Sequence, residues 1–315
     1  MTQSPTPQYA PFREEDDTTR IMTRESLQRT LPSPAMVRDR CTLNVLVGPH
    51  VGRIVAVNSE GMVVGRGEDA ELRLDDPGLS RSHARLFRMG DAYYVQDLGS
   101  TNGSWVDGTP VNGAALISDG CRVAFGPNVV LGAQLQDAIE QEATLRLYES
   151  TIRDGLTRVY NRRYLDSRMA EEVAFALRHR TMLSVLILDV DHFKQVNDNF
   201  GHQAGDSVLR VLAATVARLV RTEDVVARYG GEEFCIIARG IDGRNAAIFG
   251  ERLRRTVEAM RAPMGDRSLS VTISVGVATL TANSSYADTA ALLHAADAAL
   301  YRAKGSGRNR VVCAP

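Results

Sequence analysis

The spacing of hydrophobic and polar positions changes along the chain. Between residues 40 and 132, apolar and polar positions alternate in short runs at 42–47, 53–57, 62–65, 71–74, 83–89, 92–98, 104–106 and 121–125, separated by turn residues. Many short alternating runs at close spacing predict an all-β sandwich. Residues 133–153 (AQLQDAIEQEATLRLYESTIR) contain neither Gly nor Pro and predict a connecting helix, with Leu135, Ile139, Leu145, Tyr148 and Ile152 in a roughly heptad-like stripe. From 154 to 312, apolar runs alternate with helical segments at 162–179, 206–220, 244–261 and 289–303, which predicts an α/β or α+β domain. The continuous apolar run 183–188 predicts a buried central strand. Runs at 224–229 and 234–238 flank Gly230-Gly231 and predict a β-hairpin whose Gly-Gly turn tolerates positive φ. Residues 1–36, rich in Pro, Thr, Ser and charge, predict a disordered tail.

Composition narrows the class. Hydrophobic content of 44% and charged content of 24% fit a soluble globular protein. A formal net charge of −1 gives no basic excess, so no nucleic-acid partner is expected. No apolar run approaches the roughly 18 residues that suggest a membrane span, and the polar, acidic N-terminus argues against a secretory signal. Cys41, Cys121, Cys235 and Cys313 lack metal-ligand spacing and read as reduced thiols of a cytoplasmic protein.

Candidate chemistry concentrates in Arg228-Tyr229-Gly230-Gly231-Glu232-Glu233-Phe234. A turn without side chains admits a phosphate to the backbone, and adjacent carboxylates suit the Mg²⁺ that accompanies phosphates. The buried strand upstream ends in Asp189-Val190-Asp191-His192-Phe193-Lys194, with Asn197, Gly201, His202 and Asp206 following. Together with Asp154-Gly155-Leu156-Thr157, Asn161-Arg162-Arg163 and the 301–308 stretch YRAKGSGR, these motifs in order make residues 154–312 resemble a GGDEF domain, the family of diguanylate cyclases.

The resemblance implies an α+β domain that condenses two GTP into cyclic di-GMP and pyrophosphate. It implies Mg²⁺, or Mn²⁺ in its place, held by Asp189, Glu232 and the Val190 carbonyl. Glu232 is the candidate base for the 3′-hydroxyl, Glu233 supports the turn and assists the metal, and Lys194 neutralises phosphate charge. Lys304 and Arg308, expected beyond the last helix in a Gly-Ser-Gly loop, suit the terminal phosphates. Asn197 and Asp206 match the guanine contacts, with Leu156, Phe193 and Leu209 as apolar walls; Asp206, preceded by Gly205, also reads as a helix N-cap. His192 and His202 read as packing or turn residues. Arg221 and Asp224 stand where the family's inhibitory product site (RxxD) stands, and Arg252 matches its secondary Arg. Arg158 departs from the pattern, which expects Gly, and Tyr160 replaces a small or apolar residue.

Within 40–132, Gly65-Arg66, Ser80-Arg81-Ser82-His83 and Asp97-Leu98-Gly99-Ser100-Thr101-Asn102-Gly103 fall in loops between strands. They resemble the forkhead-associated (FHA) domain, which binds phosphothreonine peptides. The resemblance places Arg66, Ser80, Arg81 and Thr101 on the phosphate and Asn102 on the peptide backbone, with His83 and Gly65 bracing the loops. The acidic segment before Thr18 and Thr19 makes those residues candidate phosphorylation sites for a threonine kinase, with Thr23 and Thr30 as further ones. The ligand is then the chain's own tail or another protein. The whole reads as a phospho-regulated, homodimeric diguanylate cyclase. One rival is a catalytically inactive cyclic di-GMP receptor and phosphoprotein scaffold, against which the intact Asp189, Lys194, Glu232, Lys304 and Arg308 argue. Another is a cyclase of mixed base choice, against which Asp206 argues.

Overall fold

The computed structural model describes residues 37–315 apart from 266, 283, 285 and 287. The tail read over 1–36, with Thr18, Thr19, Thr23 and Thr30, lies outside the described residues.

The first part is a sandwich of β1 (Arg40–Val47), β2 (Ile54–Val57), β3 (Met62–Gly65), β4 (Leu72–Arg73), β5 (Ala84–Met89), β6 (Ala92–Asp97), β7 (Ser104–Val106), β8 (Thr109–Pro110), β9 (Ala114–Ile117), β10 (Arg122–Phe125) and β11 (Val129–Gln136). One sheet runs β2-β1-β11-β10-β7-β8 and the other β4-β3-β5-β6-β9. The alternation is the cause: Leu43 and Val45, Ala84 and Leu86, Val123 and Phe125, and Val129, Leu131 and Ala133 all turn into one core. β8, β9 and β11 go beyond the runs expected from sequence. β8 has only two residues and β9 shows no clean alternation, so neither displays a period.

The helix expected from 133 starts at 138. Residues 133–136 instead finish β11, which pairs with β1 in a register that includes Leu43 with Ala133 and Arg40 with Gln136. Ladder pairing overrides the helix propensity of these residues. α1 (Ala138–Ile152) is opened by Asp137, whose carboxylate accepts from the N–H groups of Ile139 at 2.7 Å and Glu140 at 2.8 Å. Glu140 accepts in return from Asp137 N–H at 3.1 Å, a capping box. Of the heptad-like stripe, Leu135 belongs to β11, and no residue of α1 is fully buried within the chain.

The second part contains α2 (Arg162–His179), β12 (Leu183–Val190), α3 (Phe193–Phe200), α4 (His202–Ala217), β13 (Val225–Arg228), β14 (Glu233–Arg239), α5 (Gly243–Ala259), the small hairpin β15 (Ala262–Met264) and β16 (Arg267–Leu269), β17 (Ile273–Leu280), α6 (Thr289–Gly305) and β18 (Val311–Cys313). The sheet order β13-β14-β12-β17-β18 is antiparallel except for the last pair, so this is an α+β domain. Every residue of β12 is buried. Its Leu186, Leu188 and Val190 pack on the face that also holds Leu209, Leu212, Phe249 and Leu253. Its Leu183, Val185 and Ile187 pack on the other, with Leu165, Met169, Ala296 and Leu300.

The tip of the β1–β2 hairpin meets α2. His50 N–H donates to Glu171 Oε1 at 3.1 Å, and the His50 ring sits against Glu171 and Arg168. Arg168 also pairs with Glu172, which is 1% exposed and shared with Arg239 at the end of β14. Burial holds the His50 imidazole below its ordinary range, although Glu171 pulls the other way.

Arg158, the residue standing where the sequence pattern expects Gly, has φ 64° and an exposed side chain. A left-handed backbone disfavours any residue with a Cβ, while Gly adds entropy to the unfolded chain. Arg158→Gly is therefore expected to stabilise the protein by about 0.5–1 kcal/mol, the strain released less the added chain entropy. Denaturant unfolding reads this directly; a lower midpoint would show that the left-handed turn is not strained.

Candidate active site

The carboxylates are brought together by the register of two strands. Asp189, at the end of β12, lies opposite Glu233, the first residue of β14. Glu232 is in the β13–β14 turn immediately before it. Asp189 is 6% exposed, and its Oδ2 is 2.7 Å from Lys304 Nζ. Burial pushes the Asp189 carboxyl above the ordinary carboxylate range, against the pull of Lys304. Burial, and then the charge of Asp189, raise Glu232 and Glu233 as well. The charge of Asp189 thus opposes ionisation of the two glutamates, a tension that a cation between Asp189 and Glu232 would relieve.

The expected positive φ at the Gly-Gly turn is not observed: neither Gly230 nor Gly231 has one. At Gly230 a Cβ would fall 2.6 Å from Glu233 Oε2, so a side chain there would displace that carboxylate. At Gly231 a Cβ would point into open space, which leaves that side of the turn free to receive a ligand. The turn is pinned by Arg228, whose guanidinium donates to Gly231 O at 2.7 and 3.1 Å and to Asp154 Oδ1 at 3.2 Å.

Asp189 and Glu232, with the carbonyl of Val190 at the end of β12, are the groups that could hold a divalent metal. Among the described residues no set of three or more His, Cys, Asp or Glu side chains gathers as a metal cluster. Two carboxylates and a carbonyl suit Mg²⁺, which commonly takes one or two protein carboxylates and fills its shell with water and substrate phosphate.

The nucleotide contacts expected from sequence sit on α3 and α4. Lys194 is exposed on α3. Asn197 Oδ1 lies so close to Gly205 that a Cβ there would fall 2.0 Å from it. Asp206 is not a helix N-cap. α4 begins at His202 after Gly201, which places Asp206 inside the helix with its carboxylate 46% exposed. It caps no helix, and its carboxylate lies 3.9 Å from Arg210 at an exposed position where a ligand can compete for it. Phe193 and Leu209 are buried, with Leu156 packed against the same core. Lys304 does not lie beyond the last helix: it occupies the final turn of α6, and only Arg308 lies in the loop after it.

Arg221, Asp224 and Arg252 line one cleft of about 300 Å³ together with Arg239, Asp242 and Phe249. Arg221 N–H donates to Asp224 Oδ2 at 3.0 Å, and Arg252 reaches Leu219 O at 3.0 Å. Burial pushes the Asp224 carboxyl up.

On the sandwich, Ser80 Oγ accepts from Thr101 N–H at 3.0 Å and lies 3.4 Å from Thr101 Oγ1, so those two loops meet. Arg66 and Arg81 are exposed beside them. Asn102 already donates one amide N–H to Gly78 O at 2.8 Å, which leaves its other donor and Oδ1 for a peptide. His83 is fully buried. Its Nδ1 accepts from Ser80 N–H at 3.1 Å, so Nε2–H donates to Gly103 O at 2.8 Å. Gly65 is obligatory, because a Cβ would fall 2.0 Å from Arg81 O. Sequence reasoning did not assign the organising carboxylates. Asp97 accepts from Gly99 N–H, Ser100 N–H, Ser100 Oγ and Ser104 Oγ, and Asp191 accepts from Thr272 Oγ1, Ser274 Oγ and Asn309 N–H. The Asp-x-Gly-Ser spelling after β6 was a readable turn signal for the first; the second depends on residues distant in sequence.

Comparison with known proteins follows the same division. A family profile described as "Diguanylate cyclase, GGDEF domain" matches residues 151–310, and one for the FHA domain matches 62–126. Diguanylate cyclase DosC of Escherichia coli (strain K12) is 38% identical over 187 residues, covering 56% of this chain and 40% of that protein. Response regulator PleD of Caulobacter vibrioides is 41% identical over 167 residues, 52% of this chain and 36% of that protein. The chain thus spans less than half the length of these relatives. The coiled coil and GGDEF domain of DgcB from Caulobacter crescentus, solved with c-di-GMP, aligns with TM-score 0.52 at 31% identity, covering 56% of this chain and 92% of that one. The diguanylate cyclase SiaD from Pseudomonas aeruginosa, solved with its activator SiaC, aligns with TM-score 0.51 at 39% identity, covering 56% of this chain and 66% of that one. Because the profile match takes in half of the chain and every element from α2 to the Arg308 loop, the chain belongs to the GGDEF family of diguanylate cyclases, and it carries an FHA domain before that region.

Proposed function

We propose that this chain condenses two GTP molecules into cyclic di-GMP with release of pyrophosphate. The observation that carries the reading is the intact acidic pair of Asp189, at the end of a wholly buried strand, and Glu232, in the neighbouring hairpin turn, with Lys304 against Asp189. A receptor has no need of such a pair. The 3′-hydroxyl oxygen of each GTP forms a bond to the α-phosphorus of the other, and the bond to the β-phosphate bridging oxygen breaks. Glu232, whose basicity is raised by burial and by Asp189, takes the hydroxyl proton. Mg²⁺, when held by Asp189, Glu232 and the Val190 carbonyl, would offset charge on the phosphates. Lys304 and Arg308 bind the terminal phosphates, Lys194 adds positive charge, and Asn197 and Asp206 read guanine. Each site holds one GTP, so two chains must face each other as a homodimer. Product returns to the Arg221, Asp224 and Arg252 cleft and inhibits. The FHA domain captures a phosphothreonine, on the chain's own tail or on another protein, through Arg66, Ser80, Arg81, Thr101 and Asn102.

Glu232→Gln keeps the volume and removes the base and a metal donor. Turnover of GTP with Mg²⁺ is expected to fall by about 10³-fold with the fold unchanged. Near-normal product formation by the folded variant, followed by mass, would remove Glu232 from the mechanism.

Arg221→Ala removes a forked donor from the product cleft. The inhibition constant for cyclic di-GMP is expected to rise by about tenfold or more, with progress curves that no longer level off early. An unchanged constant would place product inhibition elsewhere.

Phosphorylation of Thr18 or Thr19 is expected to alter cyclase activity through the FHA domain, helped by the high effective concentration of a tethered tail. Deleting residues 1–30, or Arg66→Ala, is then expected to make turnover insensitive to kinase treatment while metal-dependent activity persists. If phosphorylated protein still binds an external phosphothreonine peptide as tightly as unmodified protein, the ligand is another protein and not the tail.

A further inference from the structure

The loop that carries Arg308 has an unfavourable backbone. Gly307, Arg308 and Asn309 have φ values of 112°, 63° and 44°, three left-handed residues in succession, two of them with a Cβ. Such a run persists only where its surroundings over-determine it. Arg308 itself is exposed, and Asn309 is the half-buried member of the three.

Asn309 makes three bonds to two separate parts of the domain, the segment after β12 and the helix α5. Its backbone N–H donates to Asp191 Oδ2 at 2.9 Å. Its Oδ1 accepts from Arg254 on α5 at 2.7 Å, and its Nδ2 donates to Glu258 on the same helix at 2.7 Å. The partners are fixed in turn. Asp191, 5% exposed, is held by Thr272 Oγ1 at 2.7 Å and Ser274 Oγ at 2.6 Å. Arg254 is braced by Glu251 and Glu258. The bonds from Asn309 and Arg254 hold the Glu258 carboxyl below its ordinary range.

We propose that Asn309 is a positioning residue for the nucleotide triphosphate: by tying the 307–309 turn to Asp191 and to α5, it holds Arg308 at the phosphate end of the site defined by Asp189 and Lys304. The inference rests on the reading that Arg308 meets the terminal phosphates. Asp191 stands two residues after Asp189 on the same chain segment, so the turn is registered to the acidic pair. The side-chain bonds to Arg254 and Glu258 fix its orientation from the opposite side. A turn released from α5 would keep its charge but lose its aim, and the loss would fall on ligands with terminal phosphates.

The test uses full-length protein and calorimetry with Mg²⁺. The two probes are the α,β-methylene analogue of GTP, which cannot release pyrophosphate, and GMP, which lacks terminal phosphates. Asn309→Gly is chosen because Gly adopts the left-handed turn without strain and keeps the N–H to Asp191, losing only the two side-chain bonds. We expect the analogue to bind about tenfold more weakly, with GMP affinity and the melting midpoint unchanged. Analogue affinity within about twofold of wild type, or an equal loss for GMP, overturns the proposal. The second arm exchanges donor and acceptor. Asn309→Asp places a carboxylate against Glu258 and weakens analogue binding, and adding Glu258→Gln restores it with the bond reversed. A double variant no better than the single one overturns the role of this pair. If wild type binds the analogue yet forms no cyclic dinucleotide from GTP, the proposed activity fails while the binding comparison still decides the role of Asn309.

Discussion

A buried strand that ends in carboxylates must have those carboxylates met, and that constraint organises the GGDEF domain. β12 is covered on both faces and flanked by β14 and β17, so Asp189 and Asp191 at its end have little access to water. An unmet charge there would cost several kcal/mol. Asp189 is met by Lys304, which requires the last turn of α6 to reach the strand end. That reach depends on Gly276 in β17. A Cβ there would fall 2.2 Å from Ala296 O and 2.3 Å from Leu300 N, so only Gly lets α6 lie directly on the sheet. Asp191 is met by two hydroxyls and by Asn309, which fixes the chain after α6. The helix, the loop and the acidic turn are thus placed by one electrostatic requirement.

A further buried carboxylate stands behind the contact between the two halves of the chain. Glu172 lies between the guanidinium groups of Arg168 and Arg239, and Arg168 continues to Glu171 and His50 at the sandwich hairpin tip. Removing one partner would leave an uncompensated charge, which is why such clusters resist piecemeal change. Arg239 also lines the Arg221 cleft, and its N–H donates to Asp224 Oδ1 at 3.3 Å. The FHA hairpin and the cleft are therefore physically contiguous. Contiguity alone is not coupling, since coupling requires an element with two states that both ends bias.

What could be read from the chain was what local patterning controls. The largely apolar run of β12, the paired runs around Gly230-Gly231 and the bounds of α2 follow from period and length. The boundary at 133–138 was misplaced because AQLQ has helix propensity but sits opposite β1, although the Asp137 and Glu140 capping box marked the true start. Asp206 resembled an N-cap because Gly205 precedes it. Gly205 is within α4, however, and is Gly because Asn197 packs against it. α3 leaves little trace in the sequence because it is eight residues long and opens on a left-handed His192 with no side-chain cap. The Glu172–Arg239 pairing and the Asn309 ties join residues 51 to 118 positions apart, beyond what patterning can report.

Both loops proposed to face phosphate share one construction. In the sandwich, Asp97 at the end of β6 accepts four bonds from the Gly99–Ser104 region, which shapes the loop carrying Thr101. In the GGDEF domain, Asp191 just beyond β12 accepts from Asn309 and shapes the loop carrying Arg308. In each case an anion on the protein side consumes backbone and hydroxyl donors that would otherwise compete for a ligand. The remaining donors, Thr101 Oγ1 and the Arg308 guanidinium, face outward. The carboxylate, buried for Asp191 and half-buried for Asp97, also supplies a local negative charge behind a loop that gathers positive potential, so the site need not carry a large net charge before its ligand arrives. This arrangement fits a chain whose formal net charge is only −1 although it is proposed to bind phosphates at three separate places.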